Sequence, residues 1–198
     1  MQFGYFNYPM PANETVLSYA PGSPEKIALK KALADLKKKT LDIPMYIGGK
    51  AVRTGKKVAI HPPHEIKHLL GHFHAGSKQH VDQAINTALK VRIGWSEMSW
   101  ESRAHIFLKA ADLLATKYRY EMNAATMLGQ SKNAFQAEID AACELIDFLE
   151  WTTKSSILRS TLVMHPSLIL RISFNSNVTD EKLEPTGDIW NFLVVLYG

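Results

Sequence analysis

Cys143, six histidines between His61 and His80, and a row of carboxylates from Glu138 to Glu150 are the residues of this chain whose types and spacing could do chemistry. A thiol attacks only as its thiolate, and positive neighbours or a helix N-terminus are what lower its pKa. Cys143 has neither. Ala142 and Glu144 flank it, and Asp140 and Asp147 lie about one helical turn away, where their charge disfavours the thiolate. It reads as a small packing residue rather than a nucleophile.

The histidines are His61, His64, His68, His72, His74 and His80. His64 and His68 share a face in a helix, and His72 and His74 share one in a strand, so zinc would accept such ligands. No cysteine or patterned carboxylate completes a site among them. They read as solvated or hydrogen-bonded side chains and no metal ligand is assigned, with a histidine metal site as the alternative that metal analysis would decide.

The elements that must position these residues are mainly helices. Ser23 is placed as an N-cap with Pro24 at the first helical position and Glu25 in the first turn, and Leu29, Ala32, Leu33 and Leu36 recur on one face. Met45–Ile47 and Lys57–Ile60, around turns at Gly48-Gly49 and Thr54-Gly55, read as a small antiparallel unit that Pro62-Pro63 stops. A second helix starts at Ser77, turns Val81, Ala84, Ile85, Ala88 and Leu89 to one side and ends near Gly94. Ser99 caps a third, whose stripe is Ala104, Phe107, Leu108, Ala111, Leu114 and Ala115. A shorter helix from about Arg119 to Leu128 should stop at Gly129. Gly129 to Leu149 contains the last long helix, expected to bury Ala137, Ala141, Leu145, Phe148 and Leu149 with its carboxylates outside. Alanine-rich stripes of this kind suit helices that lie close against something larger.

At Trp151 this punctuation ends. Leu168, Leu170, Ile172 and Phe174 alternate with Ser167, Ile169, Arg171 and Ser173, a strand pattern that fits either an edge or oligomerisation strand or a tail not selected to complete the fold. The division expected is therefore residues 1–150 as one portion and 151–198 as a divergent tail, strand-forming or disordered.

Composition narrows the function classes. With 198 residues and 46% hydrophobic content the chain can bury a core, and its formal charge of +4 comes from lysines crowded into the first third. These lysines lack interleaved aromatics or a reading motif, so no nucleic-acid partner is expected. One cysteine excludes an intrachain disulfide and suits a reducing compartment. The start MQFGYFNYPMPANETV carries no secretory or transit pattern, and the longest apolar run, Phe192–Tyr197, is far too short for a membrane span. The expected location is cytoplasmic, or the mitochondrial matrix in a eukaryote, with no membrane partner.

The succession PMYIGGKAVRTG, HPPHEIKHLLGHFHAGSKQHVDQAINTAL, SRAHIFLKAADLLATKYRYEM and GQSKNAFQAEIDAACELIDFL resembles the N-terminal part of the delta-1-pyrroline-5-carboxylate dehydrogenases of the aldehyde dehydrogenase superfamily, over roughly residues 3–150. The resemblance implies an α/β fold class, here the N-terminal portion of an aldehyde dehydrogenase NAD-binding domain, mostly helical with a small β-hairpin and an irregular or strand-like tail. It also implies NAD-dependent oxidation of L-glutamate 5-semialdehyde (1-pyrroline-5-carboxylate) to glutamate in proline catabolism. There a cysteine thiolate attacks the aldehyde, hydride passes to NAD, a glutamate activates water, and backbone N–H with an asparagine amide holds the oxyanion.

None of these roles is carried onto a residue of this chain: no catalytic, cofactor-binding or metal residue is assigned. In the family the nucleophile lies in a glycine-rich context far downstream. Trp190-Asn191-Phe192, after Glu184-Pro185-Thr186-Gly187, resembles the superfamily's oxyanion asparagine motif, but Ile189 stands where the motif has proline and the spacing is short. No phosphate-cradling glycine loop is present, so NAD is expected for the full-length family and not for this chain alone. Two classes follow: an inactive portion of a dehydrogenase acting on a small-molecule substrate, or a non-catalytic helical module associating with full-length dehydrogenase subunits.

Overall fold

A computed structural model describes residues 12–158, which fall into two compact units. The strand-patterned stretch 167–174 and the Trp190-Asn191-Phe192 fragment lie outside the described residues.

The first unit is helical and takes residues 12–33, 99–127 and 132–158. A non-helical strap, residues 12–20, leads through a turn into α1 (Pro24–Lys37), whose first turn is capped as the sequence suggests, with the Lys26 N–H donating to Ser23 Oγ at 3.3 Å. α3 (Trp100–Ala115) starts at Ser99, whose Oγ accepts from the Ser102 N–H at 3.2 Å. It buries Ala104, Phe107, Ala111 and Leu114, the core of the stripe seen in the sequence, and packs along α6 (Glu144–Leu158). α4 (Arg119–Gln130) buries Met122, Asn123 and Ala124 completely.

The last long helix differs from expectation in three ways. Residues 131–133 interrupt it, and Asn133 restarts it, exchanging hydrogen bonds with Gln136 at 2.9 and 3.1 Å. After α5 (Ala134–Ala137) the backbone widens into a π-helical segment, Glu138–Cys143, before α6. Ala137, Ala141 and Leu149 are buried as expected and Leu145 only half so, but the wider turn broadens the buried face, which also takes in Glu138, Ala142, Cys143, Ile146 and Thr153. Phe148, expected inside, is exposed, and Glu138, expected outside, is fully buried.

The second unit, residues 34–98 with 128–131, carries the strands. β2 (Met45–Ile47) and β3 (Lys50–Val52) form the hairpin across Gly48 and Gly49, both left-handed at φ 61° and 74°, as a tight two-residue turn requires. Lys57–Ile60, read as part of that unit, instead forms β4 of a separate sheet ordered β1-β5-β4, antiparallel to β5 (Gly71–His74), with β1 (Leu41–Ile43) parallel on the other side. At Gly71 a side chain would run into the Leu41 backbone, so the residue permits the close approach of β1.

α2 (Lys78–Glu97) continues past Gly94, and only Ala88 of its expected inner face is buried. Val81, Ile85, Leu89 and Ile93 are all exposed. α4 likewise passes through Gly129 and ends at Gln130, and the next residue, Ser131, holds the left-handed conformation at φ 59°. A glycine marks where a helix is able to end, and here the chain takes that turn at a serine.

Candidate functional site

The most concentrated group of ionisable side chains gathers around Glu138 in the first unit. Arg119 opens α4, Asn123 follows one turn later, Glu138 opens the π segment and Cys143 closes it. The strap supplies Glu14, Thr15, Leu17 and Tyr19, the last in a left-handed conformation at φ 52°.

Glu138 Oε1 accepts from Arg119 Nη2 at 2.5 Å, from Arg119 Nε at 3.1 Å and from the Leu17 N–H at 2.9 Å. Its Oε2 accepts from the Tyr19 hydroxyl at 2.6 Å and from Asn123 Nδ2 at 2.7 Å. Arg119 turns its remaining donors to Glu14 Oε1 at 2.6 Å and to the Thr15 carbonyl at 2.5 Å. Burial alone would push the Glu138 carboxyl up, but the Arg119 and Tyr19 hydrogen bonds and the Leu17 N–H together hold it below the usual carboxylate range. Tyr19 moves the opposite way, since burial and then the adjacent carboxylate oppose a phenolate. Arg119 stays charged: burial works against it, and the Glu138 and Glu14 carboxylates outweigh burial.

The π turn brings Cys143 into this group. In an α-helix residues five apart point ~140° from each other; here Cys143 Sγ lies 3.9 Å from Glu138 Oε1, 3.5 Å from Arg119 Nη2 and 3.8 Å from the Thr15 carbonyl. Its thiol is pushed up to about 11 by burial and then by the Glu138 charge, which Arg119 offsets only in part. Cys143 is buried. The sequence reading of Cys143 as a packing residue thus agrees with its surroundings, although the dominant carboxylate is Glu138 rather than Asp140. What this group does chemically is hold the strap to α4 and the π segment: every strong donor is matched to an acceptor, and none is presented to solvent for a reactant.

The histidines separate into different tasks. His61 Nδ1 lies 2.8 Å from the His68 carbonyl, His64 Nδ1 lies 2.8 Å from Ser131 Oγ, and His80 closes back on Ser77 at the start of α2. His74 is buried, with Nε2 3.1 Å from Asp42 Oδ1. Asp42 also takes Lys57 at 2.8 Å and Arg53 at 3.0 Å, and these two hydrogen bonds hold its carboxyl far below the usual range. Among the described residues no group of three or more His, Cys, Asp or Glu side chains is placed to share a metal ion.

Arg119, Asn123, Tyr19 and Glu14 were not legible as a set. A buried arginine at a helix start has no sequence signal of its own, and the π segment that points Glu138 inward has none either. The starts of α1, α3 and α5 are taken up by their own capping side chains at Ser23, Ser99 and Asn133, an arrangement that does not fit the pyrophosphate of a dinucleotide.

The profile of the aldehyde dehydrogenase family matches residues 51–172, well over half of the sequence, and the chain belongs to that family. The match runs past the change of character at Trp151. Within the family, the chain is 48% identical over 151 residues to a delta-1-pyrroline-5-carboxylate dehydrogenase of Agaricus bisporus, covering 76% of this chain and 28% of that protein. To the human mitochondrial delta-1-pyrroline-5-carboxylate dehydrogenase it is 43% identical over 146 residues, covering 74% and 26%. The fold matches the crystal structure of the Mycobacterium tuberculosis delta-pyrroline-5-carboxylate dehydrogenase bound with NAD and cobalamin at TM-score 0.76 and 38% identity, over 84% of this chain and 31% of that one. The chain thus spans between a quarter and a third of the length of these relatives, in agreement with the sequence resemblance.

Proposed function

We propose that residues 1–150 are the N-terminal scaffold of an NAD-dependent dehydrogenase that oxidises L-glutamate 5-semialdehyde to glutamate, and that the 198 residues alone do not catalyse the reaction. The identity to delta-1-pyrroline-5-carboxylate dehydrogenases supports the substrate class. The observation that carries the second half is Cys143. It is the only cysteine in the sequence, it is buried, and its thiol is pushed up to about 11. Thiolate attack on an aldehyde needs the reverse on both counts. NAD belongs to the same reading as the cofactor of the full-length enzyme. Its binding is assigned to parts of a subunit beyond these residues.

The decisive assay is NADH formation from 1-pyrroline-5-carboxylate by the purified chain. Turnover that survives Cys143→Ala would refute the cysteine argument, and turnover lost in that variant would refute the burial argument.

A second reading is favoured by one observation: Val81, Ile85, Leu89 and Ile93 on α2 are 56%, 42%, 56% and 68% exposed. A row of large apolar side chains at this spacing suits a module that associates with a full-length dehydrogenase subunit. Co-expression with such a subunit and recovery of one complex would support it; a monomer that ignores the subunit would count against it. Relatives from Dictyostelium discoideum and human are named mitochondrial, and no described helix is long and apolar enough to cross a membrane. The relatives' names favour a mitochondrial location, with a cytoplasmic one as the alternative.

A further inference from the structure

His74 is placed where one ring nitrogen faces both polar groups of a single residue. Nδ1 lies 2.8 Å from the Thr54 N–H nitrogen and 2.7 Å from the Thr54 carbonyl oxygen. On the other side of the ring Nε2 lies 3.1 Å from Asp42 Oδ1. The charged and titratable groups gathered at this point are Asp42 on β1, Lys57 on β4 and Arg53 in the loop between β3 and β4, the latter two both bonded to Asp42, with His72 on the same face of β5 in register with Asp42.

A neutral imidazole carries one proton. Asp42 is a carboxylate whose lone pairs face Nε2, so the proton resides there and Nδ1 is bare. Bare Nδ1 accepts from the Thr54 N–H, and the Thr54 carbonyl then meets it lone pair to lone pair. Protonation reverses the contact. Nδ1–H now donates to the Thr54 carbonyl and confronts the Thr54 N–H, while Nε2–H keeps its hydrogen bond to Asp42. Each state satisfies one half of Thr54 and repels the other, at distances where such repulsion is strong.

We infer that His74 is a proton-operated latch on the 53–56 loop: neutral, it holds the loop by the Thr54 N–H, and charged, by the Thr54 carbonyl. The sheet need not move, since β5 is held on both sides by β1 and β4. The loop backbone does, and it carries Arg53, one of the three groups on Asp42. The Thr54 hydroxyl, which donates to the Ala75 carbonyl at 3.0 Å, pins the side chain while the peptide rocks about it.

The test is NMR on the full 15N-labelled chain from about pH 5 to 8, the range in which histidine commonly changes charge. Imidazole nitrogen shifts should show His74 protonated at Nε2 and bare at Nδ1 at the upper end. The Thr54 amide should follow the His74 titration with the same midpoint, and amides of β1 and β5 should shift far less. In His74→Asn, whose side-chain oxygen keeps an acceptor toward Thr54, the Thr54 response should vanish. A neutral His74 protonated at Nδ1, a Thr54 amide that ignores the His74 titration, or a ring that does not titrate across this range would each overturn the inference. These readouts come from the unaltered chain, so the inference stays testable if the variant fails to fold.

Discussion

Arg119 and Glu138 meet side-on, guanidinium to carboxylate, with Nε and Nη2 both on Oε1 at 3.1 and 2.5 Å, and almost no solvent reaches either. The pair is the point at which strap, α4 and π segment converge. Glu138→Gln removes its charge and leaves Arg119 buried with only Glu14 opposite, so unfolding in urea should show a loss of about 3–5 kcal/mol. Arg119→Met combined with Glu138→Gln should cost less than the two single changes added together.

Cys143 should be chemically silent in the folded chain. With its thiol near 11, about one molecule in a thousand is thiolate at pH 8, and burial blocks the reagent as well. A disulfide reagent such as DTNB should label it at a small fraction of the rate found in denaturant. Equal rates in the two conditions would mean that the π segment does not enclose it.

Acid should loosen the first unit through Glu138. Its folded pKa is depressed, so the stabilisation is complete above the unfolded value of about 4.3 and is lost as pH falls through the folded one. Thermal midpoints followed by circular dichroism should hold steady down to about pH 5 and then fall. Glu138→Gln should flatten that fall, and Asp42→Asn should not, because Asp42 is solvent-screened and lies in the other unit.

Ser131 occupies a left-handed backbone conformation that a side chain disfavours by about 1–2 kcal/mol. Its hydroxyl contact with His64 is exposed and offsets little of that. Ser131→Gly should therefore stabilise the chain by about 1 kcal/mol in chemical denaturation. A loss of stability would show that the His64 contact outweighs the strain.

Gly71→Ala should act in the opposite sense. The added methyl meets the Leu41 backbone, which cannot swing aside as a flexible side chain would, and separating β1 from β5 should cost about 1–3 kcal/mol or more. Faster hydrogen exchange at Leu41–Ile43 would locate the damage.

Local punctuation was legible where a single residue decides it: Ser23, Ser77 and Ser99 start helices, and Gly48-Gly49 turns a hairpin. Periodicity failed where a backbone departure had no sequence signal. Counting in steps of 3.6 placed Ala137, Ala141 and Leu149 inside, where they lie, but it also placed the exposed Phe148 inside and the buried Glu138 outside. Strand partners were hidden for a related reason, since Lys57–Ile60 pairs with Gly71–His74 across a connection that proximity in sequence does not reveal. Gly129 was a reasonable place to stop a helix, but a serine held by a histidine took the turn. The family was legible over roughly residues 3–150, while the charge hub needed the three-dimensional arrangement because its members come from residues 14 to 143.

The strap has a consequence for the order of events at the ribosome. Glu14 donates its backbone N–H to Asp147, 133 residues later, and Tyr19 closes on Glu138, 119 residues later. At ordinary elongation rates that gap takes on the order of ten seconds, during which the strap has been made and its partners have not. Tyr19 and Leu17 must wait, open to chaperones or to mispairing, so a pause in translation before codon 147 would lengthen the interval in which the nascent chain is vulnerable.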